Sequence, residues 1–313
     1  MVFCKQFQIC IFGLKPSYMR LFILCSLLIF SASFFSVKNV STPKITAPPG
    51  TVVLKDSLFI DRTEISNAAW KEFTDNWILG KEDDTALYKK MLPDSTVWLS
   101  LKMDGKRYMY EYFNGNNFNN YPVVGITYEQ AVAFCEWRTE RVNEMLERSN
   151  NATFRRVEFR LPTEAEWELA AQGKLDSAKY PYGQEPYIKM KGEEYKVFNC
   201  YYPEIDSASW TQGKVATVDY SQPNQYGISN MIANVAEMLA EKGLAKGGHY
   251  DMPLKYCTVK EKMAYDRPNR WLGFRCVCIV EKGFAAKQPQ TGFKKEKEKP
   301  VKKGKQKGFV NEQ

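Results

Sequence analysis

Five cysteines in the body of the chain are the residues best suited to chemistry, because a thiolate can act as a nucleophile, a redox centre or a ligand for a soft metal. They are Cys135, Cys200, Cys257, Cys276 and Cys278, and three more cysteines stand near the N-terminus. Five is an odd number, so at least one thiol stays unpaired if the others form disulfides. No two are spaced as C-x-x-C, which argues against a zinc ribbon and leaves the pairing open.

Histidine chemistry is restricted by number, because His249 is the only histidine in the sequence. A metal site built from several histidines is therefore excluded, and most nucleophile–histidine arrangements would need this one residue within reach. A single histidine is more often part of packing or loop structure, which is the interpretation we favour for His249.

Cys276 and Cys278 lie two residues apart in a segment that predicts the last strand. Alternate residues of a strand point to the same face, so these two side chains cannot easily form a disulfide with each other. The spacing favours a packing role for both, and pairing of either one with another cysteine remains open.

The clearest local signal for an element is the run RLPTEAEWELAA, residues 160–171. Pro162 blocks extension of a helix backwards, and the Thr163 hydroxyl can accept a hydrogen bond from the backbone N–H of Glu166. Glu166 can reach back to the N–H of Thr163, so the two residues predict a capping box. A helix is therefore expected to begin here.

The segments before this helix predict further elements. Residues 51–61 alternate in a manner typical of strands, and Ser66 is expected to cap a helix with Trp70, Phe73 and Trp77 on one face. Residues 79–120 indicate a long aromatic surface excursion with one or two short strands. Residues 121–126 predict a buried strand.

A second capping box is predicted at Thr127 and Gln130, ahead of a long amphipathic helix. Apolar residues recur there at helical spacing. The predicted buried face consists of Ala131, Phe134, Cys135, Arg138, Val142 and Met145.

Several motifs follow one another in the order typical of a known family. They are RLPTEAEWELAA from Arg160, YPYG from Tyr180 with Asn199 after it, PNQYGISNMIANVAEM from Pro223, KGGHY from Lys246 and GFRC from Gly273. By these motifs the chain resembles the formylglycine-generating enzyme family, also called the sulfatase-modifying-factor family, from about residue 50 to residue 280. The resemblance implies an α+β domain related to C-type lectins, with few regular elements, over residues 50–281.

The resemblance also implies where an active site would lie. Enzymes of this family hold copper with two cysteine thiolates, four and nine residues after the second glycine of the GG turn. In this chain those positions are Met252 and Cys257. A thioether and a thiolate are both soft ligands, but together they lack the charge of two thiolates. We therefore do not expect copper, and we expect Cys257 to be a structural cysteine.

A calcium site is implied separately, formed by carboxylate, amide and backbone oxygens. Carried over residue by residue, its ligands are Asn199, Asn234, Val235 and Glu237. Ala233 stands where the family has glycine, which costs free energy if φ is positive there. Calcium binding and a loop held only by hydrogen bonds both remain open.

Two phrases point to one branch of the family. LPDSTVW from Leu92 and YPVVGITYEQAVAFCEWRTERVNE from Tyr121 resemble the lipoproteins of bacterial gliding motility and type IX secretion. Those proteins are thought to build an envelope assembly rather than to oxidise substrates. The resemblance therefore implies other envelope proteins of the same assembly as partners.

The ends of the chain differ from its body. Residues 1–36 carry basic residues, an apolar run and small residues, a pattern typical of a signal peptide or an N-terminal anchor. The composition of residues 37–49 predicts a linker. The tail, 282–313, is Lys-rich and predicts disorder. Ten lysines and four glutamates in residues 281–313 supply +6 of the +8 net charge. The body is nearly neutral, which argues against nucleic-acid binding, while the tail could contact an anionic surface.

Together these observations predict an exported protein, located in the periplasm or at the outer membrane. We expect a non-catalytic structural or adaptor component, which binds its partner through the aromatic insert 98–118 beside the loop 247–257. The alternative is a copper-dependent oxidase of protein cysteine or of another thiol. A carbohydrate-binding module is a third alternative, which rests on fold analogy alone.

Overall fold

The computed structural model of the protein describes residues 46–149, 154–176, 178–206 and 213–282. All of them belong to the compact unit that begins at Lys44. The predicted leader 1–36, most of the linker 37–49 and the tail beyond Lys282 lie outside the described residues. Within the described part, no helix is long and apolar enough to cross a membrane.

The predicted mixture of helices and short strands is confirmed. The strands are β1 Thr51–Lys55, β2 Leu58–Asp61, β3 Phe154–Arg160, β4 Tyr187–Met190, β5 Glu193–Lys196, β6 Ala236–Met238, β7 Leu244–Lys246, β8 Lys262–Ala264, β9 Leu272–Gly273 and β10 Val277–Lys282. The α-helices are α1 Asn67–Lys71, α2 Thr85–Met91, α3 Gly105–Glu111, α4 Tyr128–Glu147 and α5 Glu164–Gln172. A π-helix, Glu72–Leu79, continues α1, and short 3-10 helices occupy Ser95–Ser100, Asn116–Phe118 and Leu254–Tyr256.

Two small sheets and a hairpin form the framework of the described residues. The first sheet has the order β1-β2-β10-β3, with antiparallel pairing throughout. The second has the order β8-β7-β6-β9, in which β6 and β9 are parallel. β4 and β5 form the hairpin. The first sheet joins the N-terminal strands to the last strand, so the two ends of the domain meet in one sheet.

Both predicted capping boxes are present. The Thr127 side chain accepts from Gln130 N at the start of α4, and the Thr163 side chain accepts from Glu166 N at the start of α5. Ser66 caps α1 as predicted by accepting from Ala69 N. These local hydrogen bonds satisfy backbone donors that the first helical turn leaves free.

The predicted buried face of α4 is confirmed at Ala131, Phe134, Cys135 and Val142. The prediction is wrong at Met145, which is 37% exposed, while Leu146 is buried in its place. A helical period of 3.6 residues carries the apolar stripe from residue 142 to residue 146, four positions on.

The predicted strand at 121–126 does not form, although Val123 and Ile126 are completely buried. The segment makes one isolated bridge, between Pro122 and Ser66. Pro122 has no N–H to give to a ladder, and Gly125 turns the backbone with φ of +74°. The segment is therefore buried without forming regular structure.

The short strands predicted within 79–120 are also absent, because the regular elements of this insert are all short helices, joined by turns and bends. Asp84 caps α2 by accepting from Leu87 N, and Asp94 caps the first 3-10 helix by accepting from Thr96 N. The insert packs its own small core of Trp98, Tyr112 and Phe118, which are at most 9% exposed. The expectation of exposed aromatic residues is therefore wrong for these three side chains.

Candidate functional site

The GG turn that follows β7 is shaped by close contact with Cys257. Gly247 and Gly248 have φ values of +95° and +70°. A Cβ on Gly248 would lie 2.5 Å from Cys257 Sγ and 3.0 Å from Cys257 Cα. No side chain fits there, so the turn and the cysteine form one packed unit.

Cys257 itself is fully buried. Its N–H donates to Leu254 O at 2.8 Å, and its sulfur is 3.7 Å from Pro253 O. The loop from residue 249 to residue 257 therefore folds back over the cysteine and holds its sulfur beneath the surface.

Sequence reasoning missed a second thiol at this place. Cys200 lies in the same hydrophobic cluster as Cys257. The neighbouring Cys257 thiol and burial raise the pKa of the Cys200 thiol well above its ordinary value. Cys200 is only 3% exposed. No spacing signal connects the two residues, because they meet through tertiary structure alone.

Met252 packs against the same hydrophobic cluster that contains both thiols, and it is partly buried. Tyr201 N donates to Met252 O at 2.9 Å. Met252, at the position where the resemblance implies a first cysteine, thus packs on the cluster that contains both thiols and carries a thioether instead of a thiolate.

The residues predicted to bind calcium are only partly brought together. Asn199 Nδ2 donates to Asn234 Oδ1 at 3.0 Å, so these two side chains meet. The Glu237 carboxylate instead accepts from Arg275 at 2.6 and 2.7 Å and from Trp167 Nε1 at 2.7 Å. Val235 is fully buried in the small core of the insert.

The only carboxylate of the four residues is paired with a buried guanidinium, which favours the alternative of a loop held by hydrogen bonds. Among the described residues, no cluster of three or more histidine, cysteine or acidic side chains could hold a metal ion. Ala233 has φ of +66°, so the strain expected on replacing glycine is present. Calcium binding stays a prediction.

The profile of the family described as "Sulfatase-modifying factor enzyme 1-like domain" matches residues 29–280 of the chain. The chain belongs to this family. Mouse formylglycine-generating enzyme is 24% identical over 274 residues, which cover 73% of this chain and 68% of the mouse protein. The formylglycine-generating enzyme of Thermomonospora curvata is 33% identical over 123 residues, 39% of this chain and 34% of the relative.

The chain is also similar to proteins named as inactive. A Bos taurus protein named "Inactive C-alpha-formylglycine-generating enzyme 2" is 30% identical over 123 residues, 39% of this chain and 33% of that protein. Among solved structures, Treponema denticola variable protein 1 is 18% identical with a TM-score of 0.44, over 75% of this chain and 93% of that one.

A buried polar network surrounds Glu64 in this sulfatase-modifying-factor domain. Glu64 accepts from Asn234 Nδ2 at 2.8 Å and from Asn230 Nδ2 at 3.1 Å. Burial raises the pKa of Glu64 to about 8, although the charge of Arg275 opposes the rise. Sequence reasoning missed Glu64 because its local segment carries no motif for a buried carboxyl.

Glu64 makes stability depend on pH above its ordinary pKa. The folded protein holds the Glu64 proton up to about pH 8, whereas the unfolded chain releases it near pH 4.5. The contribution of the protonated Glu64 to the free energy of unfolding is therefore complete below pH 4.5. It is lost as the pH rises to 8, by up to about 1.4 kcal/mol per pH unit. We expect Glu64→Gln to gain stability relative to the wild type over this range, measured by urea unfolding.

His249 makes stability depend on pH in the opposite direction from Glu64. Its ring stacks on Trp271 with 4.9 Å between centroids, and burial lowers its pKa to about 4. The contribution of the neutral His249 ring to the free energy of unfolding is therefore complete above pH 6.5 and is lost as the pH falls to about 4. His249→Asn should therefore gain stability relative to the wild type as the pH falls towards 4.

For the earlier variant, a Glu64→Gln protein whose stability parallels that of the wild type from pH 5 to 8 would contradict the raised pKa of Glu64.

A cavity of about 430 Å³ opens between the aromatic insert and the loop after the GG turn. Trp98, Met103, Tyr108, Val215 and Tyr250 are among the residues that line it. The insert thus lies beside the loop 247–257, as expected. Its buried rings form the cavity wall, while Met103, 75% exposed, stands at the rim.

Proposed function

We propose that this sulfatase-modifying-factor domain is a non-catalytic structural or adaptor component of a bacterial cell-envelope assembly, of the gliding-motility and type IX secretion kind. The branch-specific phrases and the signal-like leader support this proposal. They also support export to the periplasm or the outer membrane, with other envelope proteins as partners and with the Lys-rich tail available to an anionic surface.

The observation that carries the proposal is the state of the two positions where the family's oxidases hold copper. Met252 supplies no thiolate at the first position, and the Cys257 sulfur at the second is fully buried. An oxidase of protein cysteine needs a reactive centre that a client can reach. A buried thiol covered by its own loop supports a structural role instead.

The cavity between the insert and the loop is the surface proposed for partner binding. Its wall is mainly aromatic and aliphatic, which suits an apolar side chain of a partner protein. Lys102 and Asp104 add charged groups at its edge. An aromatic wall with a charged rim is typical of protein-binding sites.

The adaptor role is tested by placing a charge at the rim of this cavity. We expect Met103→Glu to abolish co-purification of envelope proteins, because the partner would have to bury an unpaired carboxylate. Met190→Glu is the matched control, since Met190 is 52% exposed on the β4–β5 hairpin and does not line the cavity. Unchanged co-purification with Met103→Glu would refute the proposed surface.

The proposal that the domain is non-catalytic is tested by incubating the full chain and Cu(I) with a cysteine-containing sulfatase-type peptide. We expect no aldehyde product. Product that disappears in Cys257→Ser would refute the proposal and establish the alternative, a copper-dependent oxidase of protein cysteine. The presence of Cys200 beside Cys257 is the one feature that favours this alternative, because it restores a pair of thiols.

A further inference from the structure

The cavity between the aromatic insert and the loop 247–257 carries an excess of positive charge near its mouth. Its charged lining residues are Lys102, Asp104 and Lys214. All three are exposed, and another exposed lysine, Lys106, follows two residues after Asp104. Arg107 comes next, but it is paired with Glu111 at 2.8 Å, so it leaves the balance unchanged. Three lysines therefore stand against one aspartate near the opening.

The apolar surface of the insert continues beyond the cavity. Leu99, Met103 and Tyr110 are 52%, 75% and 67% exposed. Leu99 directly follows Trp98 of the cavity wall, and Met103 lies on the rim. Exposed apolar side chains grouped on one segment and bordered by charged ones are typical of a surface that binds another protein.

Arg270 fixes the shape of the cavity. Its guanidinium donates to Tyr250 OH at 2.7 Å, to Asp251 Oδ2 at 2.6 Å and to Ser100 Oγ at 3.0 Å. Asp251 Oδ1 also accepts from Gly213 N at 2.7 Å. The insert, the loop after the GG turn and the segment at Gly213 are thus joined around one ion pair. The charge of Arg270 is matched by Asp251, so the lysines supply the uncompensated charge. A wall that is already in place lowers the ordering cost of binding.

The size of the cavity restricts what can occupy it. Its volume of about 430 Å³ lies within the range of about 300–1,000 Å³ that is typical of sites for drug-sized ligands. A single small aliphatic side chain would leave part of this volume empty, and the wall would lose contacts. An aromatic side chain with an apolar neighbour fills it better, because rings pack favourably against the rings of Trp98 and Tyr108.

We propose that the cavity binds a short acidic segment of a partner protein, in which an aromatic side chain and an apolar neighbour stand between carboxylates. The aromatic side chain enters the cavity beside Tyr108 and Tyr250, and the carboxylates lie near Lys102 and Lys214. This inference rests on the proposed adaptor function and names the chemistry of the partner.

The charges decide against a basic partner segment. Such a segment would face the three lysines with only Asp104 to pair with. Opposite charges also steer an acidic segment towards the mouth, over a distance of about 8 Å at physiological ionic strength. An acidic segment therefore gains in association rate and in contact, whereas a basic one is repelled.

Synthetic peptides test the proposal. The full chain is titrated by calorimetry with a six-residue peptide in which phenylalanine and leucine stand between two pairs of aspartates. One control peptide has lysines in place of the aspartates, and another has alanines in place of phenylalanine and leucine. We expect the acidic peptide to bind at least about tenfold more tightly than either control, and its affinity to fall as salt is added. The alanine peptide measures binding by the Lys-rich tail, which would depend on charge alone.

Three variants locate the binding site. Lys214→Glu should weaken binding of the acidic peptide at least about tenfold, because an attraction becomes a repulsion. Asp104→Asn should strengthen it about threefold. Asp104 has φ of +61° and its side chain caps no backbone donor, so asparagine can replace it without loss of structure. Lys55→Glu is the matched control and should change nothing, since Lys55 is exposed on strand β1 and does not line the cavity. Thermal melts check the folding of each variant.

Co-purification of envelope proteins with the same variants separates this inference from the proposed function. If Met103→Glu abolishes co-purification while Lys214→Glu changes neither co-purification nor peptide binding, the cavity is the docking surface but its partner is not acidic. If Met103→Glu and Lys214→Glu both leave co-purification unchanged, the proposed surface itself fails. Equal affinity for the lysine peptide, or no measurable binding of the acidic peptide, would also overturn the acidic partner.

Discussion

Replacing Arg275 with methionine is expected to lower the free energy of unfolding by about 3–5 kcal/mol, because it leaves a buried carboxylate without its counter-charge. Arg275 and Glu237 are 0% and 1% exposed in their side chains, and two hydrogen bonds of 2.6 and 2.7 Å join them. Arg275 also donates to Asp61 O at 3.1 Å and to Ser229 O at 2.9 Å. Methionine fills much of the volume but replaces none of these donors.

The matched control is Arg160→Met. Arg160 also binds a carboxylate through two hydrogen bonds of 2.7 Å, to Glu166, but the two side chains are 30% and 19% exposed. Solvent can replace the lost partner there, so we expect a loss of about 1 kcal/mol or less. Urea unfolding of both variants at one pH measures the difference.

A double variant tests the cause of the loss. Adding Glu237→Gln to Arg275→Met removes the uncompensated charge, so the double variant should be more stable than Arg275→Met alone. If Arg275→Met proves no more destabilising than Arg160→Met, or if adding Glu237→Gln lowers the stability further, an uncompensated buried carboxylate is not the cause of the loss.

Local hydrogen-bond motifs were predictable from the sequence because their partners lie three residues apart. The caps at Ser66, Thr127 and Thr163 are therefore present where the sequence places them. The α+β fold was also predictable, because the family motifs occur in order along the chain. The strand predicted at 121–126 was wrong because periodicity reports burial but not the hydrogen-bond ladder.

Features that depend on tertiary contacts were not predictable in the same way. The aromatic insert looked like a surface in sequence because the core that contains Trp98 and Tyr112 is completed by Val215 and Tyr250, far along the chain. The Cys200–Cys257 pair depends on the pairing of Tyr201 with the loop at Pro253. Glu64 becomes part of the site only because Asn230 and Asn234 are folded over it.

Replacing Gly248 with alanine is expected to lower the free energy of unfolding by about 2–5 kcal/mol, through two separate effects. With φ of +70° an alanine pays about 1–2 kcal/mol for the left-handed conformation. Its Cβ would also lie 2.5 Å from Cys257 Sγ and 3.0 Å from Cys257 Cα. Overpacking of this kind adds about 1–3 kcal/mol, since the backbone of Cys257 cannot move aside freely.

Gly192→Ala separates the two effects. Gly192 has φ of +89°, but a Cβ there meets nothing within 4 Å, so only the conformational cost of about 1–2 kcal/mol applies. The chain already accepts such backbone at Ala233 and Asn234, with φ of +66° and +54°, so strain alone does not unfold it. The excess for Gly248→Ala, measured by urea unfolding, is therefore the contact with Cys257.

The contact between position 248 and Cys257 also predicts that the effects of two variants are not additive. Cys257→Ala removes the sulfur that the new Cβ would meet, so Gly248→Ala and Cys257→Ala together should destabilise the protein by less than the sum of the single variants. Simple additivity would mean that the turn and the cysteine do not act as one unit. Partial relief is the expected result, because the contact with the Cys257 backbone remains after the sulfur is removed.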